Sequence, residues 1–484
     1  MIHFKIISRI LGLLLFIEAL FMLVALGVSI YYDEHIIPAY IYAIATTLAA
    51  GSALLYCGKG KDRNISRKDG YIVVSSAWII FSIFGSILYI ISGYIPSVSN
   101  AFFETISGFT TTGATILDNI EELPPSLLLW RSMTHWIGGL GIVFFTVAIL
   151  PIFGMGDIHL FAAEATGPIH GKLHPRISVT ARWILTIYIG LTIINTVCLK
   201  LAGMNLLDSV CHSMSTIATG GFSTRQDSIG AYNSPLIEYI VTLFMFLGGT
   251  NFSLLYLSIF KGKVNELVHD SEFKCYFNIV LASTLIIAIG LLLTDGFNVE
   301  KAFRDSLFQV VATVTTTGFC SADYMKWHPL LWLLISGLMY LGACSGSTTG
   351  GMKCVRVSIL GRVMVNEFKR IVHPNAIIPV RMSHKIIATP VQSAILAYTV
   401  LYLGVVMAGV IVNVAFGLEF MEAYGLSVSC TSNIGPALGN YGPAFSMNSL
   451  PDVLKWFCSF QMLVGRLEFF AVLLMLTPMF WRKQ

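Results

Sequence analysis

Charge is scarce in this 484-residue chain: Asp, Glu, Lys and Arg make up 12% of it, against 55% apolar residues. Soluble domains carry about twice that share of charge, and the mean hydropathy of +0.76 lies on the same side. The nine cysteines include no CxxC pair and no Cys/His cluster at metal-ligand spacing, which argues against a disulfide framework and against zinc. They read as free thiols packed like small hydrophobes. No GxSxG, HExxH or Walker sequence is present, and His135, His212 and Glu164 stand isolated among apolar or loop residues. An intramembrane enzyme would need a nucleophile and a base on facing helices, and no such pair stands out. What remains is a chain built for lipid.

Roughly 20 apolar residues cross about 30 Å of hydrocarbon, so a chain of this length and greasiness accommodates around ten crossings. The first apolar run, residues 10–30, follows Lys5 and Arg9 as a signal peptide would. It is too long for an h-region and lacks a small-x-small cleavage site, so it reads as an uncleaved anchor.

Basic residues collect in four loops: Lys59, Lys61, Arg63, Arg67 and Lys68; His170, Lys172, His174, Arg176 and Arg182; Lys261, Lys263 and Lys274; and Lys353, Arg356, Arg362, Lys369, Arg370, Arg381 and Lys385. The positive-inside rule puts all four on the cytoplasmic side, with both termini, given Lys5, Arg9, Arg482 and Lys483. The opposite side carries Asp33, Glu34, Asp118, Glu121 and Glu122, with Arg225 and Lys326 among its few bases. An acidic mouth would concentrate cations.

Cut at the basic loops, the chain resolves into an amino-terminal hairpin and four units of one internal order: apolar span, short amphipathic stretch, Thr/Gly segment, second apolar span. The Thr/Gly segments are Thr110-Thr111-Thr112-Gly113, Ala218-Thr219-Gly220-Gly221, Thr315-Thr316-Thr317-Gly318 and Ser432-Asn433-Ile434-Gly435. They recur at a period of about one hundred residues, which suits a duplicated membrane unit rather than a solenoid. Gly113, Gly220, Gly318 and Gly435 are taken as equivalent. Each second span carries a glycine at a similar distance beyond, Gly138, Gly248, Gly342 and Gly465, where a small residue allows close helix approach.

Backbone that is neither helical nor apolar is tolerated at membrane depth only where protein buries it or it lines an aqueous path. Four such stretches point to one pore built from four pieces. A cation that sheds its water needs oxygens without fixed charge, which backbone carbonyls supply, and glycine permits the dihedrals that aim them at one axis. Alignment with the potassium-channel signature TVGYG selects Thr111, Thr112, Gly113 and Ala114; Ala218, Thr219, Gly220 and Gly221; Thr316, Thr317, Gly318 and Phe319; and Asn433, Ile434, Gly435 and Pro436. Upstream segments at 100–108, 206–215, 301–312 and 420–429 read as half-bilayer pore helices whose negative dipole ends face the cation.

The ordered set, with Gly346-Ser347-Thr348-Thr349-Gly350-Gly351 and Gly465-Arg466-Leu467-Glu468, resembles the Trk/Ktr/HKT superfamily of potassium transporters over essentially the whole length. The amino-terminal hairpin is similar to that of its Trk-type membrane subunits. The resemblance implies an all-α polytopic fold of four pseudo-symmetric M1–pore helix–M2 repeats around a central pore, plus the two-helix hairpin. It divides the chain into 1–69 (hairpin and basic loop), 70–182, 183–274, 275–389 with an intramembrane gating loop at 343–352, and 390–484. It implies potassium uptake across a bacterial inner membrane, with rubidium also accepted, by a homodimer that works with a cytosolic nucleotide-binding regulator of the TrkA kind. No cofactor and no enzymatic activity are expected. Proton- or sodium-coupled symport is the alternative, which would need ionisable groups at the ion site. Gly346, Ser347, Thr348, Thr349, Gly350 and Gly351 would form the movable gate. Arg466, a charge costing about 2.5–3.5 kcal/mol in a membrane helix, would stand in the conduction path. It has Glu468 nearby in sequence, but positions two apart do not face each other on a helix.

Overall fold

The computed structural model describes residues 2–60, 66–141, 177–294, 296, 298–383, 385–443 and 446–482. Lys61, Arg63, Glu164, His170, Lys172, His174, Arg176, Lys483 and the far half of the first unit's second span lie outside the described residues.

The amino-terminal hairpin pairs helices Phe4–Tyr31 and Ile37–Cys57. They cross closely because Gly12 and Gly51 face each other: a side chain on either would crowd the other's backbone carbonyl. Both ends of the hairpin are tied to the first unit. At one end the Asp69 carboxylate accepts from the His3 backbone N–H (3.0 Å) and contacts its Nδ1 (2.7 Å). At the other, Glu34 accepts from the Ser126 N–H (2.9 Å) and its hydroxyl, placing a carboxylate where a helix start favours one.

Each unit opens with an outer helix: Arg67–Ser92, Ile177–Leu201, Ser271–Thr294 and Thr389–Ala415. A shorter, largely buried pore helix follows: Val98–Phe109, Leu206–Ala218, Val299–Val314 and Phe420–Ser432. The expected half-bilayer segments fall within these four. Proline then starts each inner helix, at Pro125, Pro235 and Pro329, or as the N-cap at Pro451, where its fixed φ and missing N–H carry no penalty.

Six single helices are long and apolar enough to cross a membrane among the described residues, fewer than the apolar content suggests. Among the described residues, the inner crossings are interrupted or short. The sequence points to a break only in the third, yet the second and fourth are interrupted as well. The first, Pro125–Gly139, ends at Gly139. The second bends by 104° between Pro235–Gly248 and Phe252–Lys261. The third stops at Leu338 and resumes as Cys354–Val372. The fourth, Asp452–Arg466, restarts at Phe470 after two residues of positive φ, Glu468 and Phe469.

Candidate functional site: four turns and the loop beneath them

All four pore helices end in the same turn. The residue after or at the helix end adopts a left-handed conformation, at Thr111 (φ 52°), Thr219 (53°), Thr316 (52°) and Asn433 (58°). The next N–H reaches back five residues to a helix carbonyl: Thr112 to Ser107 (2.9 Å), Gly220 to Ser215 (2.9 Å), Thr317 to Ala312 (2.8 Å) and Ile434 to Ser429 (3.1 Å). A glycine of positive φ follows: Gly113, Gly221, Gly318 and Gly435. Such backbone is costly for a β-branched threonine, and conformations of this kind persist only where the surroundings impose them.

The repeat of this pattern corrects the alignment of the second unit. Gly221, not Gly220, corresponds to Gly113. Ala218 is the last residue of its pore helix, and Phe222 takes the place of Ala114. Two adjacent glycines make the sequence ambiguous there; the φ values are not. Gly220 is glycine for another reason, since a side chain on it would overlap the His135 ring.

The four turns close on one another. A Cβ on Gly113 would overlap the carbonyl oxygen of Gly220, one on Gly221 that of Thr317, and one on Gly318 that of Ile434; one on Gly435 would crowd that of Thr112. Four equivalent carbonyls thus each face the glycine of the preceding unit, and the sequence of contacts returns to its start. The strands that leave the turns are stitched in the same cyclic order. Arg131 Nη1 donates to the Ser223 carbonyl (2.8 Å) and Gly230 N–H to that of Cys320 (3.1 Å). Tyr324 Oη donates to the Ala437 carbonyl (2.8 Å) and Met447 N–H to that of Thr115 (2.8 Å). Above the ring an open vestibule is lined by Gly113, Gly221, Gly318 and Gly435 together with Arg131 and Arg225.

The mouth is not simply acidic. Glu34 is buried on Ser126, Glu121 accepts from the Gln226 N–H (3.0 Å), and Asp118 accepts from Ser446 and Asn448. These carboxylates brace loops.

Two groups that carry the upper ring were not singled out from sequence. Glu104 and Arg131 form a fully buried ion pair (2.6 Å). The carboxylate also accepts from the Ile116 N–H (3.0 Å) and the Thr115 hydroxyl (3.0 Å), while the guanidinium stacks 3.6 Å over Phe222. One pair therefore holds the exits of the first two turns. Charges inside apolar segments are functional by default, and that signal alone could have found both. Arg131→Met is expected to lower stability by about 3–5 kcal/mol, because Glu104 is left buried and unpaired; a thermal unfolding midpoint unchanged in detergent would refute this. His135 and His212 are struts as well. His135 stacks on Phe222 at 4.0 Å, and His212 bridges the Asp208 carbonyl (2.8 Å) and the Ser223 hydroxyl (2.9 Å).

Beneath the ring, inner-helix glycines pack against the bases of the turns. Side chains on Gly138 and Gly465 would overlap the carbonyls of Phe109 and Thr431, and Gly248 lies against Thr219 and the Ile217 carbonyl. Gly342 departs from this: a side chain on it would overlap the Gly350 carbonyl, inside the loop of the third unit.

That loop is not a kinked helix. Leu341–Gly342 pairs in parallel with Met352–Lys353 to form a neck, and the residues between fold under the ring. Thr348 accepts from the Thr219 hydroxyl (3.1 Å) and donates to the Ile217 carbonyl (3.0 Å), while the Gly350 N–H donates to the Thr316 hydroxyl (2.8 Å). The loop thus holds the inner faces of the second and third turns. Glu272 grips both ends of the neck, accepting from the Ser345 N–H (2.6 Å), the Ser345 hydroxyl (2.7 Å) and the Val355 N–H (3.2 Å).

Arg466 ties the loop to the opposite wall. It donates to the carbonyls of Thr348 (2.7 Å), Gly138 (2.7 Å) and Gly139 (3.2 Å). Glu468 turns away and pairs with Arg356, which also stacks on Tyr398. Asn433 fills the fourth position differently from a threonine, donating to the Thr112 hydroxyl and the Met462 carbonyl (both 2.9 Å). Among the described residues no group of three or more His, Cys, Asp or Glu side chains is placed to hold a metal ion.

Comparison with known proteins agrees with this architecture. The chain is 33% identical over 481 residues to the Trk system potassium uptake protein TrkH of Halomonas elongata, covering 99% of both chains. It is 34% identical over 489 residues to the protein of that name from Escherichia coli, covering 99% of this chain and 100% of that one. It superposes with a TM-score of 0.90 on the crystal structure of the potassium transporter TrkH from Vibrio parahaemolyticus, at 33% identity and with 99% and 100% of the two chains covered. The family model described as TrkH, cation transport protein, matches residues 36–483, and the chain belongs to that family.

Proposed function

We propose that the protein takes potassium into the cell through the ring of four turns, with the loop at 343–351 as its gate. The observation that carries this is the closed cycle of carbonyl-to-glycine contacts, which surrounds one axis with backbone oxygens and no fixed charge. The ion-lining residues are then Thr111 to Ala114, Thr219 to Phe222, Thr316 to Phe319 and Asn433 to Pro436. Partial negative charge at the ends of the four pore helices favours a dehydrated cation there. The relatives, potassium uptake and transport proteins by name, supply potassium as the ion.

The docked loop and Arg466 close the inner side of the ring. The guanidinium, anchored on both walls, opposes a cation at the point where it would leave the turns. On this reading residues 1–69 brace the pore, and 70–182, 183–274, 275–389 and 390–484 form its four quarters. The protein sits in a bacterial inner membrane with both termini in the cytoplasm, acts as a homodimer and needs no cofactor. Lys261, Lys263, Arg362, Lys369 and Arg370 offer the basic surface on which a cytosolic nucleotide-binding regulator would act on the gate.

Rubidium-86 uptake into liposomes containing the purified protein tests this. Uptake that follows the membrane potential, is blocked by potassium and is little affected by sodium supports the selective pore. Uptake appearing only with a proton or sodium gradient would replace it with coupled symport, and uptake blocked equally by both ions would remove the selectivity.

A further inference from the structure

Two pairs of cysteines are near neighbours in the fold, although no CxxC spacing announces either. Cys430 on the fourth pore helix meets Cys458 on the fourth inner helix, and both are fully buried. On the third outer helix Cys275 is three residues beyond Glu272, whose carboxylate accepts from the Val355 N–H beside Cys354 (3.2 Å), so the two cysteines are neighbours; Cys275 is half-buried and Cys354 buried.

The second pair sits on the neck of the loop. Cys354 is the first residue of the helix that leaves it; its N–H donates to the Ala343 carbonyl (3.0 Å) and its thiol to the Gly342 carbonyl (3.1 Å). Cys275 lies one helical turn from Glu272, the carboxylate that grips both ends of the neck. The pair therefore spans the joint between loop and outer helix, next to the hydrogen bonds that hold it. It lies toward the end of that helix marked by Lys261, Lys263 and Lys274.

We propose that Cys275 and Cys354 form a peroxide-sensitive dithiol whose oxidation locks the loop in its docked position. This rests on the loop being the gate. In the first step the Cys275 sulfur attacks the O–O bond of a hydroperoxide, giving a sulfenic acid and releasing an alcohol, or water from hydrogen peroxide. In the second the Cys354 sulfur displaces hydroxide from the sulfenic sulfur; the S–S bond forms and water leaves with the thiol proton. Two electrons pass from the two thiols to the peroxide. The Cys430–Cys458 pair has the same chemistry but is enclosed between helices, and access decides which pair reacts.

The full-length protein in liposomes is treated with hydrogen peroxide, and the disulfides are mapped by mass spectrometry without reduction. A Cys275–Cys354 bond is expected, with hydrogen exchange over residues 343–353 slowed. Rubidium uptake is expected to fall at least about tenfold and to return with dithiothreitol. Cys275→Ser keeps the basal uptake and loses the response, Cys354→Ser loses the response relative to its own untreated uptake, and Cys458→Ser keeps both. Absence of the 275–354 bond overturns the proposal, as does a bond that leaves exchange and uptake unchanged. A preparation with no uptake under any condition counts against the transport reading alone, because mapping and exchange still decide whether the neck is locked.

Discussion

Replacing Gly318 by alanine is expected to cut rubidium uptake by at least about tenfold, equivalent to about 1.4 kcal/mol at the conduction barrier, while the protein still assembles. Gly318 has φ 73°, a conformation that costs an L-residue about 1–2 kcal/mol. The new methyl group would also overlap the Ile434 carbonyl and press on the Pro436 ring. Neither obstacle is the far end of a flexible side chain, so relief requires moving one of the four carbonyls. A carbonyl displaced by a few tenths of an ångström coordinates a dehydrated ion poorly. Gly27, which has open space around its Cα on the first hairpin helix, provides the control: Gly27→Ala should leave uptake unchanged. Equal uptake by Gly318→Ala and wild type, both verified as folded by their thermal unfolding, would remove the ring from the ion path.

Removing the guanidinium of Arg466 should have the opposite sign. Hydrogen bonds to a charged group are worth about 1.5–3 kcal/mol each, and the one to the Thr348 carbonyl is the link between loop and opposite wall. Losing it shifts the docked and released states of the loop by about tenfold to a hundredfold, so Arg466→Gln should raise unregulated uptake by a comparable factor. The substitution also removes a positive charge from the exit, and Arg466→Lys separates the two effects. A lysine keeps the charge but, as a point donor, cannot bridge both walls as the planar fork does. Raised uptake in Arg466→Gln alone assigns closure to the charge; raised uptake in both assigns it to the tether. Uptake lowered in both would mean that Arg466 supports conduction instead of preventing it.

The fold was legible because its signals are local. Apolar runs, basic loops and four Thr/Gly interruptions each follow from what lipid tolerates in a short stretch of chain, and their order sufficed to place pore helices, turns and loop. The register of the second turn was not legible, since Thr219-Gly220-Gly221 offers two glycines and composition cannot say which one takes positive φ. The breaks in the inner helices escaped for a related reason. Gly138 and Gly465 announce close helix approach, but not that the approach is to the carbonyls of Phe109 and Thr431. Glu104 and Arg131 are 27 positions apart and Glu272 and Ser345 are 73 apart, so neither pairing could be seen before the helices were packed.

The sequence by itself determined that this chain lives in a membrane, that it repeats four times, and that each repeat interrupts its apolar run with Thr- and Gly-rich backbone. These depend on hydrophobicity and on the conformational range of single residues. Only the tertiary structure decided which carbonyl faces which glycine, that Arg466 bridges the loop and the first inner helix, and that Arg356, not Arg466, takes Glu468. Such partnerships depend on which surfaces meet when separate repeats close into a ring, and closure is a property of the whole chain.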